Sequence, residues 1–315
     1  MTDRRTDGQT DGIAIANTAL ALLCNGSAVK NDSSSKRYVA VRLLAYWYDN
    51  QQMFVRWQNV SSESFRIFNG VRQSGLLSPY LFRVYIRNLI DRITKLNIGC
   101  YYSRTVINLL AYADDIVLLA PSWCGLQHLL NVIEMSSNEI TMSFNTNKTV
   151  CMVFNPINRQ QVVCSTFPAF KLAGCNLTFV AQFKYLGHII DNDLKDDSDI
   201  KREIKNLFLR ANLLCRRFQR CSLQVKLKLF RAFCICFYGT ALWKKFSATA
   251  IAKFKSCYHK CLKHFFGLKY SSVTSMLFEL GLPSFDTLLH NYKVSFYMSL
   301  ATCDNMLVQC MKNVN

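Results

Sequence analysis

The sequence predicts an α+β fold, with helices packed on an antiparallel sheet, followed along the chain by a block of basic amphipathic helices. Three observations carry that expectation. Between Tyr38 and about Ile190, short apolar runs bounded by turn signals alternate with stretches of helical periodicity, in the order strand, helix, strand-turn-strand, helix, strand. Half of the 315 residues are hydrophobic and 13% are aromatic, enough for a sizeable core and unlike a disordered polyelectrolyte. The formal charge of +18 is unevenly placed: residues 201–270 hold seventeen Lys or Arg and one acid, Glu203. A solvated helix face normally mixes signs, so a field of one sign points to nucleic acid or an anionic surface.

The elements follow in order. Residues 1–36 stand apart, because Thr2 to Gly12 is a short-period Thr-Asp repeat with nothing to pack, and Ser33-Ser34-Ser35 closes this low-complexity leader. Val41, Leu44, Ala45 and Tyr48 then follow helical spacing, and Met53 to Arg56 and Ser64 to Phe68 read as the strands of a hairpin. Ser78-Pro79 starts a helix with proline in the first turn, and Leu81, Tyr85, Leu89, Ile93 and Leu96 give its buried stripe. The apolar runs 107–111 and 116–120 flank Tyr112-Ala113-Asp114-Asp115, which predicts a buried hairpin with two carboxylates at its tip. A helix through Leu126, Leu129, Leu130 and Ile133 to about Met135 comes next, then an extended pair around Phe144 and residues 151–154. Phe183 to Ile190 is a further strand-turn, and residues 191–199 form an acidic linker whose Asp199 is placed to cap the next helix. That helix has the apolar stripe Ile204, Leu207, Phe208, Ala211, Leu214, Cys215 and Phe218, with Lys201, Arg202, Lys205, Arg216 and Arg217 on the opposite face. More basic amphipathic helices run to about Phe266, and stacked helices with one basic face suit gripping a duplex by its phosphates.

Fourteen cysteines in so long a chain argue against a secreted disulfide scaffold. Cys151, Cys215, Cys234 and Cys236 lie in apolar runs, where free cysteine behaves as a small core residue, and a reducing intracellular compartment, cytoplasm or nucleus, is expected. Cys257, His259, Cys261 and His264 are the cluster that most resembles a metal site. Paired Cys-x-x-Cys knuckles are missing there, and Leu262, Phe265 and Phe266 make the stretch an amphipathic helix. No run approaches the roughly 20 apolar residues of a membrane span, so no membrane partner is expected. Ile13 to Cys24 is apolar and follows Arg4-Arg5, but Asp3, Asp7 and Asp11 occupy what would be the positive region of a signal peptide.

Two adjacent carboxylates at a hairpin tip invite a divalent cation, because hard oxygen ligands suit Mg²⁺. A bare Asp-Asp pair is more often an ordinary solvated turn, and three further stretches separate the two readings. Gly70-Val71-Arg72-Gln73-Ser74-Gly75-Leu76-Leu77-Ser78-Pro79 precedes the helix that leads into the hairpin, Phe144-Asn145-Thr146-Asn147-Lys148-Thr149 follows the hairpin, and Phe183-Lys184-Tyr185-Leu186-Gly187 comes after that. In this order and spacing the four stretches resemble the reverse transcriptase domain of non-LTR (LINE-type) retrotransposons, over residues from about 41 to about 289.

The resemblance implies a right-hand polymerase palm followed by an α-helical thumb, acting on an RNA template, a DNA primer and deoxynucleoside triphosphates with Mg²⁺, or Mn²⁺, as cofactor. Such chemistry uses two cations to activate the primer 3′-hydroxyl and to neutralise the leaving pyrophosphate. Residues 112–115 match the family's Tyr-Ala-Asp-Asp box, so Asp114 and Asp115 are the implied catalytic and metal-binding carboxylates and Tyr112 a nucleotide contact. Arg72, Gln73 and Gly75 match the loop that cradles the incoming nucleotide and template base. Lys148 matches a lysine placed as general acid for pyrophosphate departure. Phe183 to Gly187 resembles the primer-grip hairpin, with Lys184 on nucleic acid, and residues 195–266 resemble the thumb, with Arg216, Arg217 and Arg220 on the duplex.

Two departures from the family pattern stand out. Ser74 occupies a place where the family usually has glycine, and a left-handed backbone there would strain it by ~1 kcal/mol or more. The family's first catalytic aspartate lies in a Phe-Asp strand some 20 residues before the match to residues 41–48. In this chain that place holds Ala16-Asn17-Thr18-Ala19-Leu20-Ala21-Leu22-Leu23, with no carboxylate. Two bridged cations need carboxylates from separate strands, so one tip supplies a single side of the cage.

The expected organisation is a leader over 1–36, a partial, N-terminally shortened palm over 37–190, a basic helical thumb over 191–270 and a C-terminal helical extension over 271–315. Three functional readings follow: a retrotransposon reverse transcriptase domain inactive alone, an active polymerase in which Asp11 or Asp32 substitutes for the lost ligand, and a non-catalytic nucleic-acid-binding remnant acting through the basic thumb.

Overall fold

The computed structural model describes residues 34–67, 74–140, 142–154, 167–267 and 272–312. Most of the leader, including the signal-like stretch, Asp11, Asp32 and residues 16–23, lies outside the described residues, as do Arg72 and Gln73. Among the described residues the chain divides into two compact units. One lies within Met1–Thr149 together with Ala169–Leu177, the other within Val150–Pro168 and Thr178–Asn315.

In the first unit, helix α1 (Ser34–Asp49) forms on the expected stripe: Tyr48 is buried, and Val41, Leu44 and Ala45 pack with it against Leu81, Tyr85 and Ile86. The hairpin that follows is divided into two ladders. β1 (Gln52–Met53) pairs with β4 (Phe65–Arg66), and β2 (Arg56–Trp57) pairs with β3 (Val60–Ser61). Ser62 carries the register across the gap, its N–H donating to the Val55 carbonyl and its Oγ accepting from the Val55 N–H, both at 2.9 Å.

Helix α2 (Ser78–Thr94) has Pro79 in its first turn and buries Leu81, Tyr85, Leu89 and Ile93 as the periodicity predicts. Leu96 falls beyond its end, in a turn where its N–H donates to the Ile93 carbonyl. β5 (Cys100–Tyr102) pairs with β6 (Thr105–Ile107), and β7 (Leu109–Tyr112) pairs with β8 (Asp115–Leu118). Helix α3 (Trp123–Glu139) starts on Ser122, whose Oγ accepts from the Gly125 N–H at 3.2 Å. It buries Leu129, Leu130 and Ile133 but runs past Met135, which faces solvent.

β9 (Val150–Cys151) opens the second unit. The chain then returns to the first with β10 (Lys171–Leu172) and β11 (Cys175–Asn176), which dock on α3. The Gln127 side chain donates to the Lys171 carbonyl and accepts from its N–H, both at 2.9 Å, and Trp123 stacks on Phe170 at 5.7 Å. β12 (Thr178–Phe179) pairs in parallel with β9, which corrects the expected partnership of residues 151–154 with Phe144. β13 (Gln182–Tyr185) and β14 (His188–Asp191) close a tight hairpin on Leu186 and Gly187, both at positive φ (46° and 84°), the backbone of a two-residue turn matched to strand twist.

The balance of elements is α+β, but the single antiparallel sheet expected from the sequence is replaced by seven two-stranded ladders among the described residues, six antiparallel and one parallel. The strands are two to four residues long. The run 107–111 also fails as one strand because Asn108 turns inward and separates β6 from β7.

The helical part of the second unit comprises α4 (Asp197–Phe218), α5 (Leu223–Phe233), a 3₁₀ turn (Thr240–Leu242), α6 (Ala248–Phe266), α7 (Val273–Glu279), α8 (Phe285–Ala301) and α9 (Met306–Lys312). One core runs through it from Ile200 and Leu207 to Phe285 and Leu288, so α7 and α8 pack on the helices of the basic block. Phe237 is its aromatic hub, with ring centroids 4.8 Å from Phe254 and 6.1 Å from Tyr258 and Phe285. No described helix is long and apolar enough to cross a membrane.

Three residues of α4 depart from their expected places. Phe208 is partly exposed rather than part of the buried stripe. Asp199 lies within the first turn, fully buried, and is not the cap; Asp196 precedes the helix. Arg202 is drawn out of the basic face because both its neighbours Asp199 and Glu203 are buried acids that need a cation.

Candidate active site and nucleic-acid surface

The aspartate pair sits where the sequence puts it, at the tip of β7–β8. Tyr112 and Asp115 are directly opposite in register, so their side chains share one face, and Ala113 and Asp114 form the two-residue turn. Ala113 has φ 51°, a left-handed conformation that costs a residue with a Cβ about 1 kcal/mol. Tyr112, Asp114 and Asp115 are all exposed, and among the residues of β7 and β8 only Leu109 is buried. The hairpin expected to be covered on both faces is therefore half-buried, with its tip in solvent.

What aims that tip is a residue the motif does not name. Asn108 is 2% exposed, and its amide donates to the carbonyls of Ile93 at 2.7 Å and Leu96 at 3.2 Å, at the end of α2. Its own carbonyl accepts from the Leu119 N–H at 2.9 Å, extending the hairpin ladder by one bond. One side chain thus ties the base of the aspartate hairpin to α2, adding a second donor to the Ile93 carbonyl that the Leu96 N–H already bonds and supplying one to the Leu96 carbonyl beyond the helix end. Gly99 makes room for it: a Cβ there would lie 2.7 Å from the Asn108 Cβ. A buried asparagine beside a helix terminus was the available signal, but its partners lie 12 and 15 residues away in sequence.

The nucleotide loop is described from Ser74 onward. Ser74 has φ 64°, so the position does require the conformation that glycine supplies, and the departure from the family residue is a strained one. Gly75 is half-buried just before α2, and its carbonyl accepts from the Ser78 N–H. Lys148 is exposed in a turn built by Asn145, whose Oδ1 and carbonyl both accept from the Lys148 N–H at 3.1 Å. Thr149 adds a hydroxyl bond to the same carbonyl at 2.9 Å. Tyr112, Asp114, Asp115, Gly75 and Lys148 belong to the first unit, and Lys184, Arg216, Arg217 and Arg220 to the second, where all four are exposed.

Asp114 and Asp115 offer the hard oxygen donors that a divalent cation of the Mg²⁺ type takes. Among the described residues no three His, Cys, Asp or Glu side chains come together as a metal-ligand group. Cys257, His259, Cys261 and His264 do not converge either. Cys257 and Cys261 face the helical core with their sulfurs 4.0 Å apart, His259 is half-buried and His264 is exposed. The described cysteines are free, and burial pushes the Cys151 thiol up to about 11 and the Cys234 thiol up to about 12, as befits core residues.

The second unit carries a buried ionic network beneath the β13–β14 hairpin. The Asp199 carboxylate accepts from Arg202 Nε at 2.5 Å and Nη2 at 3.1 Å, from Trp243 Nε1 at 2.8 Å and from the Ile189 N–H at 2.9 Å, and His188 Nδ1 lies 2.9 Å away. Burial alone would raise its pKa, but His188, Arg202 and the two N–H donors together hold it well below the usual carboxylate range. Glu203, equally buried, accepts from Arg202 Nη1 at 3.0 Å and Arg210 Nη2 at 2.6 Å. Asp196 accepts from the N–H groups of Lys244 and Lys245 at 2.8 and 2.7 Å, and fixes the segment entering α6.

Comparison with known proteins agrees with the family that the sequence resembles. Residues 28–190 match the reverse transcriptase (RNA-dependent DNA polymerase) family. The RNA-directed DNA polymerase from mobile element jockey of Drosophila funebris is 22% identical over 284 residues, which cover 85% of this chain and 30% of that protein. The Pol polyprotein from type-1 retrotransposable element R2 of Nasonia vitripennis is 30% identical over 127 residues, 39% of this chain and 12% of the relative. A second R2-type Pol polyprotein, from Drosophila melanogaster, is 28% identical over 130 residues, 40% of this chain and 12% of its own length. The chain thus spans about a third or less of the relatives it matches. With the family match covering half of the chain and the four motifs in order, it belongs to the reverse transcriptase (RNA-dependent DNA polymerase) family, in its non-LTR, LINE-type branch.

Proposed function

We propose that this chain is a palm-and-thumb portion of a retrotransposon polymerase, specialised for RNA-directed DNA synthesis but unable to extend a primer alone. The family works on an RNA template, a primer and nucleotide substrates with divalent metal ions. In this reading Asp114 and Asp115 hold one side of the Mg²⁺ or Mn²⁺ site, and the chemistry the ions supply when bound is activation of the primer 3′-hydroxyl and neutralisation of pyrophosphate. Tyr112, Arg72, Gln73 and Gly75 contact the nucleotide, and Lys148, on its Asn145-built turn, holds the proton for the departing pyrophosphate. Lys184, Arg216, Arg217 and Arg220 bind the phosphates of template and primer.

The observation that carries the reading is the tip itself: two exposed carboxylates, correctly placed in the motif order, with no third ligand beside them among the described residues. Loss of one bridging carboxylate removes the geometry that holds two cations 3.5–4 Å apart, which is roughly the separation such chemistry needs. Primer extension on an RNA template, with Mg²⁺ and separately with Mn²⁺, tests it. The expected result is no product that depends on Asp114. Product that vanishes on Asp114→Ala would overturn the inactive reading in favour of a substitute ligand such as Asp11 or Asp32.

A further inference from the structure

The β13–β14 hairpin is held by groups that the polymerase reading leaves without a role. In a ladder closed by a two-residue turn, Tyr185 and His188 are the bonded pair at the turn, and the next pair, Lys184 and Ile189, points its backbone groups outward from the ribbon. The Ile189 N–H, so directed, donates to Asp199 Oδ1 at 2.9 Å. The β14 edge is therefore pinned to the first turn of α4, and the β13 edge, with the exposed Lys184 upon it, faces the opposite way.

The turn is held by a second bond. Tyr238 Oη donates to the Leu186 carbonyl at 2.6 Å, and its ring lies against Gly187, where a Cβ would come within 3.1 Å of Tyr238 Cε1. Arg202 joins the two attachments: its Nη2 donates to the Tyr238 carbonyl at 3.2 Å while its other nitrogens hold Asp199 and Glu203, and its guanidinium carbon lies 6.0 Å from the Tyr238 ring centroid. Gly239, at φ 78°, permits the approach, since a Cβ there would sit 2.9 Å from His188 Nδ1. Trp243 Nε1 closes the carboxylate from the far side. A solvated hairpin needs none of this, and a buried pair of acids matched to two arginines is costly to assemble, so the arrangement fixes an orientation rather than merely filling space.

We propose that Asp199, Arg202 and Tyr238 are positioning residues that set the angle of the Leu186–Gly187 tip and thereby present the exposed Lys184 of β13 to a nucleic-acid backbone. The proposal rests on the reading of Lys184 as a nucleic-acid contact. The clamp holds the turn end of the ribbon at two points, Ile189 and Leu186, and releasing the Tyr238 attachment lets the tip swing while leaving the helical core in place.

The test uses the full chain. Tyr238→Phe deletes one hydroxyl from a half-exposed ring, so the fold should survive with little change in melting temperature. Amide exchange at Leu186 to Ile189 should quicken about tenfold, the signature of local opening. Affinity for a fluorescent RNA–DNA hybrid at low salt should fall roughly fivefold, the scale of one lost hydrogen bond. Combining Tyr238→Phe with Lys184→Ala should weaken binding no further than Lys184→Ala alone, because the hydroxyl acts through that lysine. Unchanged exchange would overturn the clamp, and losses that multiply in the double variant would reduce Tyr238 to a structural residue. Absence of hybrid binding by the unaltered protein would overturn the nucleic-acid reading itself, while the exchange result still decides the clamp.

Discussion

Ser74 and Ala113 share a conformation that side chains with a Cβ avoid, and both flank the expected chemistry. Ser74→Gly should stabilise the protein by about 0.5–1 kcal/mol, the left-handed penalty less the extra chain entropy of glycine, read as a shift in the urea midpoint at constant slope. Asn108→Ala should lower stability by about 1–3 kcal/mol, because both bonds from its buried amide to the end of α2 are lost. Its expected mark is early loss of amide protection at Leu109 to Leu118. The sequence made the Ser74 question visible, since the family comparison supplied the missing glycine, but it left the backbone angle open. Asn108 stayed silent because a buried polar residue inside an apolar run looks like any interruption until its carbonyl partners are folded beside it.

Among the elements, α4 shows where periodicity succeeds and where it stops. Leu207, Ala211 and Leu214 are buried on the predicted stripe, yet Asp199, Arg202 and Glu203 are buried as well. Hydrophobic spacing cannot tell a solvated charge from a compensated one when the partners, His188 and Trp243, come from other elements. Because the folded Asp199 carboxyl is held below its unfolded value, its stabilisation is complete at neutral pH and is lost as pH falls through about 4 and below. Acid unfolding should therefore begin at higher pH in the unaltered chain than the remaining carboxylates explain, and Asp199→Asn should flatten that limb of the stability profile. Asp199→Ala, which leaves the Ile189 N–H and Trp243 Nε1 without their acceptor and removes one of the two acids that hold Arg202, should cost about 3–5 kcal/mol. Circular dichroism melts between pH 3 and about 8 separate the two variants.

For the whole molecule, the charge imbalance read from residues 201–270 survives folding where it matters, since Arg216, Arg217 and Arg220 remain exposed while Arg202 and Arg210 are spent on buried acids. If those three each meet a phosphate, replacing them by alanine should reduce the slope of log K against log salt by about 3 without altering sequence preference, measured by anisotropy over a KCl series. Charge and the order of helices were thus legible in advance. Strand partnership was not: two-residue strands such as Val150–Cys151 carry too little pattern to name a mate, and this one finds Thr178–Phe179 in parallel across an intervening excursion. That crossing has a practical consequence for anyone wishing to excise the helical half. A fragment begun at β12 would discard its mate and leave the backbone groups of Thr178 and Phe179 as an open edge, ready to recruit another chain, whereas one begun at Val150 keeps that pair but parts residues 169–177 from their seat on α3.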